Sequence, residues 1–196
     1  MQSSVVLSSV VVVAAIALGA LGCSPAASSS PDKATVVTTF QKEQAPDKLF
    51  AEGKALAALG DSVRAEQYLA AALVGGGDDK AITPLLVQVC VNDGRLRSAI
   101  EYAEPYVRKH PDDVRARYLL GTLYGGIGAF DRARAEYEAV IAAKPDTPEP
   151  HWALALLLRD DLNDQPNATI HFREYLRLAP TGAHADEARA SIKDPQ

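Results

Sequence analysis

From Pro46 onward the apolar residues recur at three- and four-residue intervals, the pattern of helices that bury one face. Between Arg115 and Ile127 they stand at Leu120, Leu123, Tyr124 and Ile127. Between Arg132 and Ala143 they stand at Ala133, Tyr137, Val140 and Ile141. Gly128 lies between the two stretches and accepts the positive φ with which helices commonly end. Asp131 is placed to cap the second helix, and Lys144-Pro145 closes it, because proline cannot continue a helix. The pattern therefore predicts two helices joined by a short turn.

That unit repeats. Gly60, Gly94 and Gly128 are 34 residues apart, as are Ala65, Ala99 and Ala133, and Pro111 and Pro145; Ala168 and Pro180 follow at 35. Gly53, Val87, Gly121 and Ala155 keep the 34-residue grid, so the extra residue is expected in the loop between Asp160 and Pro166. Gly121 and Ala133 are expected where neighbouring helices approach most closely, and a bulky side chain there should over-pack by roughly 1–3 kcal/mol. In the second unit, Thr83-Pro84 predicts a shortened first helix with Thr83 as cap and Pro84 at its first position. Pro105 predicts a bend in the second helix. Gly75-Gly76-Gly77 stands where other units end in proline and predicts the most flexible joint.

Leu120-Gly121, Tyr124, Gly128, Ala133, Tyr137, Val140 and Pro145 together resemble a tetratricopeptide repeat (TPR), and the other three units resemble degenerate copies. The resemblance covers Pro46 to Pro180. It implies an all-α fold, a right-handed α-solenoid of about four helix-turn-helix units near residues 46–79, 80–113, 114–147 and 148–182. Residues 183–194 look like the solvating helix that ends such arrays, with Ala188 and Ile192 inward. It also implies a concave groove, lined by the first helices, that binds peptides or partner helices. The groove positions are Asp47, Phe50 and Lys54 in the first unit, then Gln88 and Asn92. The third unit supplies Arg115, Tyr118 and Thr122, and the fourth Glu149, Trp152, Leu156 and Arg159. Phe50, Tyr118 and Trp152 fall at equivalent places, a row interrupted by Pro84, and rings flanked by Arg115 and Arg159 have the composition of a binding hot spot. Gly125 and Gly126 are expected to let a ligand backbone approach.

Composition sharpens the picture. The chain has 196 residues, 47% of them hydrophobic and 6% aromatic, enough for one packed domain rich in small side chains. Its net charge of −5 lacks the basic excess of a nucleic-acid binder. All the charged side chains lie after residue 31, and Val5–Gly22 is an almost unbroken apolar run. The run ends in Ala20-Leu21-Gly22-Cys23, followed by Ser24-Pro25-Ala26-Ala27 and three serines. This resembles the lipobox of bacterial lipoproteins. It implies a signal peptide over 1–22, acylation of Cys23 and a Ser/Pro/Ala-rich tether over 23–45. By the same resemblance Ser24 points to the periplasmic side of the outer membrane. An uncleaved signal anchor and a start placed too late are the other readings of the run.

Little else carries chemistry. His110, His151, His171 and His184 are scattered without a zinc spacing, and His171 with Glu174 has no third ligand. The acidic stretch Asp160–Asp164 lacks the glycine and closing glutamate of a calcium loop. Cys90 reads as a small core residue beside Leu86 and Val87, and no phosphate loop or nucleophile elbow is present. The sequence thus predicts no catalytic residues, no metal and no cofactor. The expected function is a membrane-anchored TPR scaffold that binds an envelope protein or peptide, in envelope, pilus or secretion-system assembly. The alternative is a non-catalytic periplasmic accessory that recruits or regulates cell-wall enzymes.

Overall fold

A computed structural model describes residues 45–193. The expected leader, Cys23 and the expected tether up to Gln44 lie outside the described residues. From Pro46 the chain is helical: α1 (Pro46–Ala58), α2 (Ser62–Val74), α3 (Asp79–Asn92), α4 (Leu96–Lys109), α5 (Val114–Gly126), α6 (Phe130–Ala143), α7 (Pro148–Leu156), a π-helical turn (Leu157–Asp161), α8 (Gln165–Leu178) and α9 (Ala185–Lys193). Each helix packs on its sequence neighbours, so the described chain is an all-α solenoid of four helical pairs closed by α9. None of these helices is long and apolar enough to cross a membrane.

Aspartates open many of the helices. The side chains of Asp61, Asp78, Asp113 and Asp164 accept backbone hydrogen bonds from the first turns of α2, α3, α5 and α8, satisfying donors that have no partner inside the helix. Asp131 does not cap α6. The cap is the backbone of Ala129, and Asp131 lies within the first turn, where its charge meets the positive end of the helix dipole.

The turns explain the spaced glycines. Gly60, Gly94 and Gly128 have φ of +78°, +70° and +77°. The residue after each donates to the carbonyl five positions earlier: Asp61 to Leu56, Arg95 to Cys90, and Ala129 to Tyr124, at 2.8–3.0 Å. In the fourth unit Asn163 takes the left-handed position, φ +51°. Asp164 then reaches back six positions, to the Leu158 carbonyl at 2.7 Å. The extra residue is thus absorbed in the helix, as the π turn Leu157–Asp161, and not in the loop that follows. A π turn is how a helix takes one inserted residue without losing register.

The second unit also departs from expectation. α3 begins at Asp79, five residues before Pro84, and Thr83 is a buried residue of the helix interior rather than its cap. Asp78 caps the helix upstream, and Ile82 and Leu86, at 1% and 0% exposure, bury its inner face. That packing carries the helix through a proline whose ring faces solvent. α4 likewise runs unbroken through Pro105. The three glycines after α2 make its closing turn, with Gly77 N–H on the Ala72 carbonyl at 2.9 Å. A side chain at Gly77 would meet Ile82 at 2.6 Å, so close packing requires glycine there.

The small residues mark the helix contacts. Ala65, Ala99, Ala133 and Ala168 are all fully buried. A Cβ at Gly53 would lie 2.7 Å from Leu69, and one at Gly121 would lie 2.8 Å from Tyr137. Polar ties join neighbouring pairs. Glu66 accepts from Tyr102 Oη at 3.0 Å and pairs with Arg95, and Glu104 accepts from Tyr124 Oη at 2.6 Å. Burial and the nearby Glu104 carboxylate push Tyr124 up to about 12. Cys90 is fully buried, and burial raises its thiol to about 11, which holds it as a protonated, unreactive core residue. At the far end α9 buries Ala185 and Ala188 with Ile192 packed alongside.

Candidate functional site: the face of the first helices

The residues expected to line the groove come from α1, α3, α5, α7 and, for Arg159, the π turn after α7, but only part of the row is open. Asp47, Lys54, Gln88, Asn92, Arg115, Thr122 and Glu149 are exposed. Gln88 Nε2 donates to Asn92 Oδ1 at 2.7 Å, one helical turn on. Thr122 Oγ1 donates to the Tyr118 carbonyl and accepts from Tyr137 Oη at 3.3 Å. Arg115 pairs with no carboxylate among the described residues.

The aromatic row does not form as expected. Phe50 is half-buried against the first pair of helices, and the Tyr118 ring lies 5.6 Å from Tyr137. Burial raises the Tyr118 hydroxyl above its ordinary pKa. Trp152 is only 8% exposed. Its ring stacks on His184 at 4.4 Å and 5°, and lies 5.5 Å from both Phe172 and Tyr175. Trp152 is therefore a core residue that joins α7 to α8 and to the segment before α9. Arg159 is likewise engaged, with Asp160, Glu187 and Ser191 and over the Phe172 ring. It holds the π turn against α9. Leu156 is half-buried in the same cluster. Period assigns a residue its place on its own helix but says nothing of what covers it after the last repeat.

The interruption in the row proves to be the open feature. Where the other units carry Phe50, Tyr118 or Trp152, Pro84 leaves a hollow of about 340 Å³ between α3 and α5. Pro84, Val87, Ala116 and Leu119 give it apolar walls, and Arg115 and Asp113 stand at it. Leu119 is 37% exposed. Asp113 is committed to the first turn of α5 and to the Tyr106 hydroxyl at 2.9 Å, which leaves Arg115 as the free charge. Sequence reading gave the hollow no weight, although a small ring in a row of large ones was its signal. Gly125 and Gly126 fit contacts with neighbouring helices: a Cβ at Gly126 would strike Leu96 at 2.9 Å, and Gly125 faces Ala133.

A second polar cluster lies at the other end. His151, 5% exposed, has Nδ1 at 3.1 Å from His171 Nδ1 and Nε2 at 3.3 Å from the Pro145 carbonyl. The carbonyl only accepts, so His151 Nε2 carries a proton and its Nδ1 accepts from His171 Nδ1–H. Burial, with His151 beside it, lowers the His171 pKa from its ordinary 6.5, against a smaller raising effect of Glu174. The folded state then binds fewer protons than the unfolded chain, so this stabilisation is complete above pH 6.5 and is lost as pH falls through the folded value. Urea midpoints should drop between pH 7.5 and 5.5 in the wild type and drop less in His171→Asn, whose amide keeps the donor. No group of three or more metal-ligating side chains occurs among the described residues.

Antiparallel helix pairs on a 34-residue pitch, with alanine at each crossing and a left-handed turn after each first helix, define a helical-repeat solenoid. That solenoid is a tetratricopeptide-repeat fold, and residues 91–157 match the family model of the tetratricopeptide repeat. Solved structures agree over most of the chain. YrrB, described as a TPR protein with an unusual peptide-binding site, superimposes with a TM-score of 0.67 at 17% identity over 81% of each chain. MamA from Desulfovibrio magneticus does so with a TM-score of 0.62 at 22% identity, over 78% of this chain and 98% of its own. A tetratricopeptide repeat protein from Parabacteroides merdae gives 0.67 at 20% identity, over 76% of this chain and 59% of its own. None of the curated proteins compared matches the sequence.

Proposed function

We propose that the protein is a lipid-anchored scaffold of the bacterial cell envelope that holds a peptide, or an extended segment of another envelope protein, against α1, α3 and α5. The observation that carries this reading is the hollow beside Pro84: an apolar recess on the first-helix face with one guanidinium, Arg115, that has no carboxylate partner among the described residues. An apolar side chain of the partner fills the recess, and a carboxylate or carbonyl beside it meets Arg115. The peptide-binding site in the description of YrrB supports a similar use of the shared fold. The apolar run before Cys23 and the lipobox-like residues around it support anchoring on the periplasmic side of the outer membrane. Binding, not catalysis, is the activity proposed.

Affinity capture from solubilised envelopes tests the reading, with Pro84→Glu plus Arg115→Glu as the comparison. Proline inside a helix costs about 3 kcal/mol or more, so its removal from the exposed side of α3 should not weaken the fold. Helical content and midpoint should hold or rise while capture falls at least tenfold. Undiminished capture by the double variant would sink the proposal. The mass of the mature N-terminus tests the anchor, and an unmodified Cys23 still joined to residues 1–22 would remove it.

A further inference from the structure

The outward side of α2 differs from that of the other second helices. Val63, Gln67, Ala70 and Val74 form a row one helical turn apart, on the side away from the buried Ala65, Leu69 and Ala72. The matching row of α4 is Arg97, Glu101, Glu104 and Arg108, all charged. That of α6 is Asp131, Ala135, Glu138 and Ala142, and that of α8 is Pro166, Ile170, Arg173 and Arg177. Only the α2 row holds no charge. Val63 and Val74 are 63% and 67% exposed, and Leu59, in the turn before α2, is 81% exposed. Isolated apolar side chains are common on surfaces; a charge-free row with three of them on the outer side of one repeat points to something that covers it.

The missing neighbour is not another repeat. The positions by which α3, α5 and α7 pack on the preceding pair hold Ile82, Leu86 and Val89, then Leu120 and Leu123, then Leu154 and Leu157, all buried. In α1 the same positions hold Lys48, Glu52 and Ala55, all exposed. The array therefore begins at α1, with a solvated edge. What the array leaves bare on the outer row of α2 is Val63, Gln67 and Val74, with Ala70 half-buried between them.

Chain connectivity supplies an occupant. The described chain enters α1 at Ala45–Pro46, and the Pro46 ring lies 3.3 Å from where a Gly75 Cβ would stand, next to Val74. Immediately upstream, Ala34-Thr35-Val36-Val37-Thr38-Thr39-Phe40 is a charge-free stretch between Asp32-Lys33 and Lys42-Glu43. From Ala45 back to Phe40 is five residues, a reach of up to about 17 Å. The eleven residues from Val63 to Val74 rise about 16 Å along α2. Phe40 can thus reach the Val74 end of the row, and Val37 and Val36, three and four residues further upstream, have the length to extend toward Val63.

We propose that residues 34–40 dock on the outer row of α2, with Val36, Val37 and Phe40 covering Val63, Ala70 and Val74. The uncharged segment and the uncharged row match in chemistry, and both are flanked by charged residues in the sequence. The segment then fixes where the chain leaves the solenoid, on the side opposite the hollow. If Cys23 is the anchor, which rests on the function proposed above, the free tether shortens to residues 24–33 and the first-helix face is held open to a partner.

Hydrogen–deuterium exchange on the full chain in phospholipid nanodiscs tests this. Peptides spanning 34–44 should exchange at least tenfold more slowly than a free peptide of that sequence. Val63→Asp plus Val74→Asp should return them to the free rate and leave α4–α8 unchanged. Phe40→Asp, outside the described helices, should do the same without touching α2. Free-peptide rates in the wild type, or slow exchange that survives both variants, would overturn the proposal. So would slow exchange that depends on protein concentration and accompanies a doubled particle mass, which assigns the row to a second copy. Protection of the α2 row that vanishes in bilayer-free detergent assigns it to lipid and overturns it equally.

Discussion

Trp152→Ala is expected to destabilise the protein by about 3–5 kcal/mol and to release the last repeat first. The ring is wedged among Phe172, Tyr175 and His184, and Phe172 is itself fully buried. Truncation leaves a ring-sized cavity and removes the stack on His184, the contact that holds the segment before α9. In a solenoid each pair leans only on its neighbours, so the loss should surface as faster amide exchange in α8 and α9 while α1–α4 keep their protection. Urea unfolding followed by circular dichroism gives the global figure. A loss below about 1 kcal/mol, together with lost partner capture, would mean that Trp152 is a binding residue after all.

Gly121→Val should cost about 1–3 kcal/mol, and Tyr137→Ala placed in the same chain should return part of it. A Cβ at Gly121 would meet Tyr137 Cε1 at 2.8 Å, Cδ1 at 3.0 Å and Glu136 Cβ at 3.3 Å. The Tyr137 ring cannot swing freely aside, because Tyr118 lies against it and its hydroxyl is held by Thr122. The four repeats offer a natural comparison at this crossing. Gly53 faces Leu69, and Gly121 faces Tyr137. At the corresponding positions Ala155 goes with Phe172, whereas the second unit reverses the sizes, with Val87 and Ala103. The double variant copies that reversal into the third unit. A double-mutant cycle should then show the pair coupled by about 0.5–3 kcal/mol, favourably in the double variant. Additive costs would mean that the crossing does not match sizes pair by pair.

Much of the architecture was legible in the residues because its causes are local. The 3.6-residue periodicity placed the helices, the left-handed preference of glycine placed three turns, and Ala65, Ala99, Ala133 and Ala168 marked crossings that admit nothing larger. Where the structure departs from these local rules, a nonlocal contact has overruled them. Thr83-Pro84 resembles a helix start, yet the buried Ile82 and the cap at Asp78 begin α3 a turn and a half earlier. The inserted residue of the fourth unit was countable, but loop and π turn satisfy the same count. The five-residue bond from Leu162 N–H to the Leu157 carbonyl, at 3.0 Å, marks the π turn and so distinguishes them.

The candidate site was less legible, for a related reason. A repeat period says which way a side chain leaves its helix; exposure depends on what arrives from elsewhere. His184, 32 residues after Trp152, closes over that ring, whereas Pro84 leaves the corresponding place in its own unit open. The sequence by itself determined the repeat, the helices and the sizes at each crossing, since these follow from backbone preference and short-range packing. Only the tertiary structure decided which of the first-helix residues stay open to a partner, because burial is a property of neighbours far away in the chain.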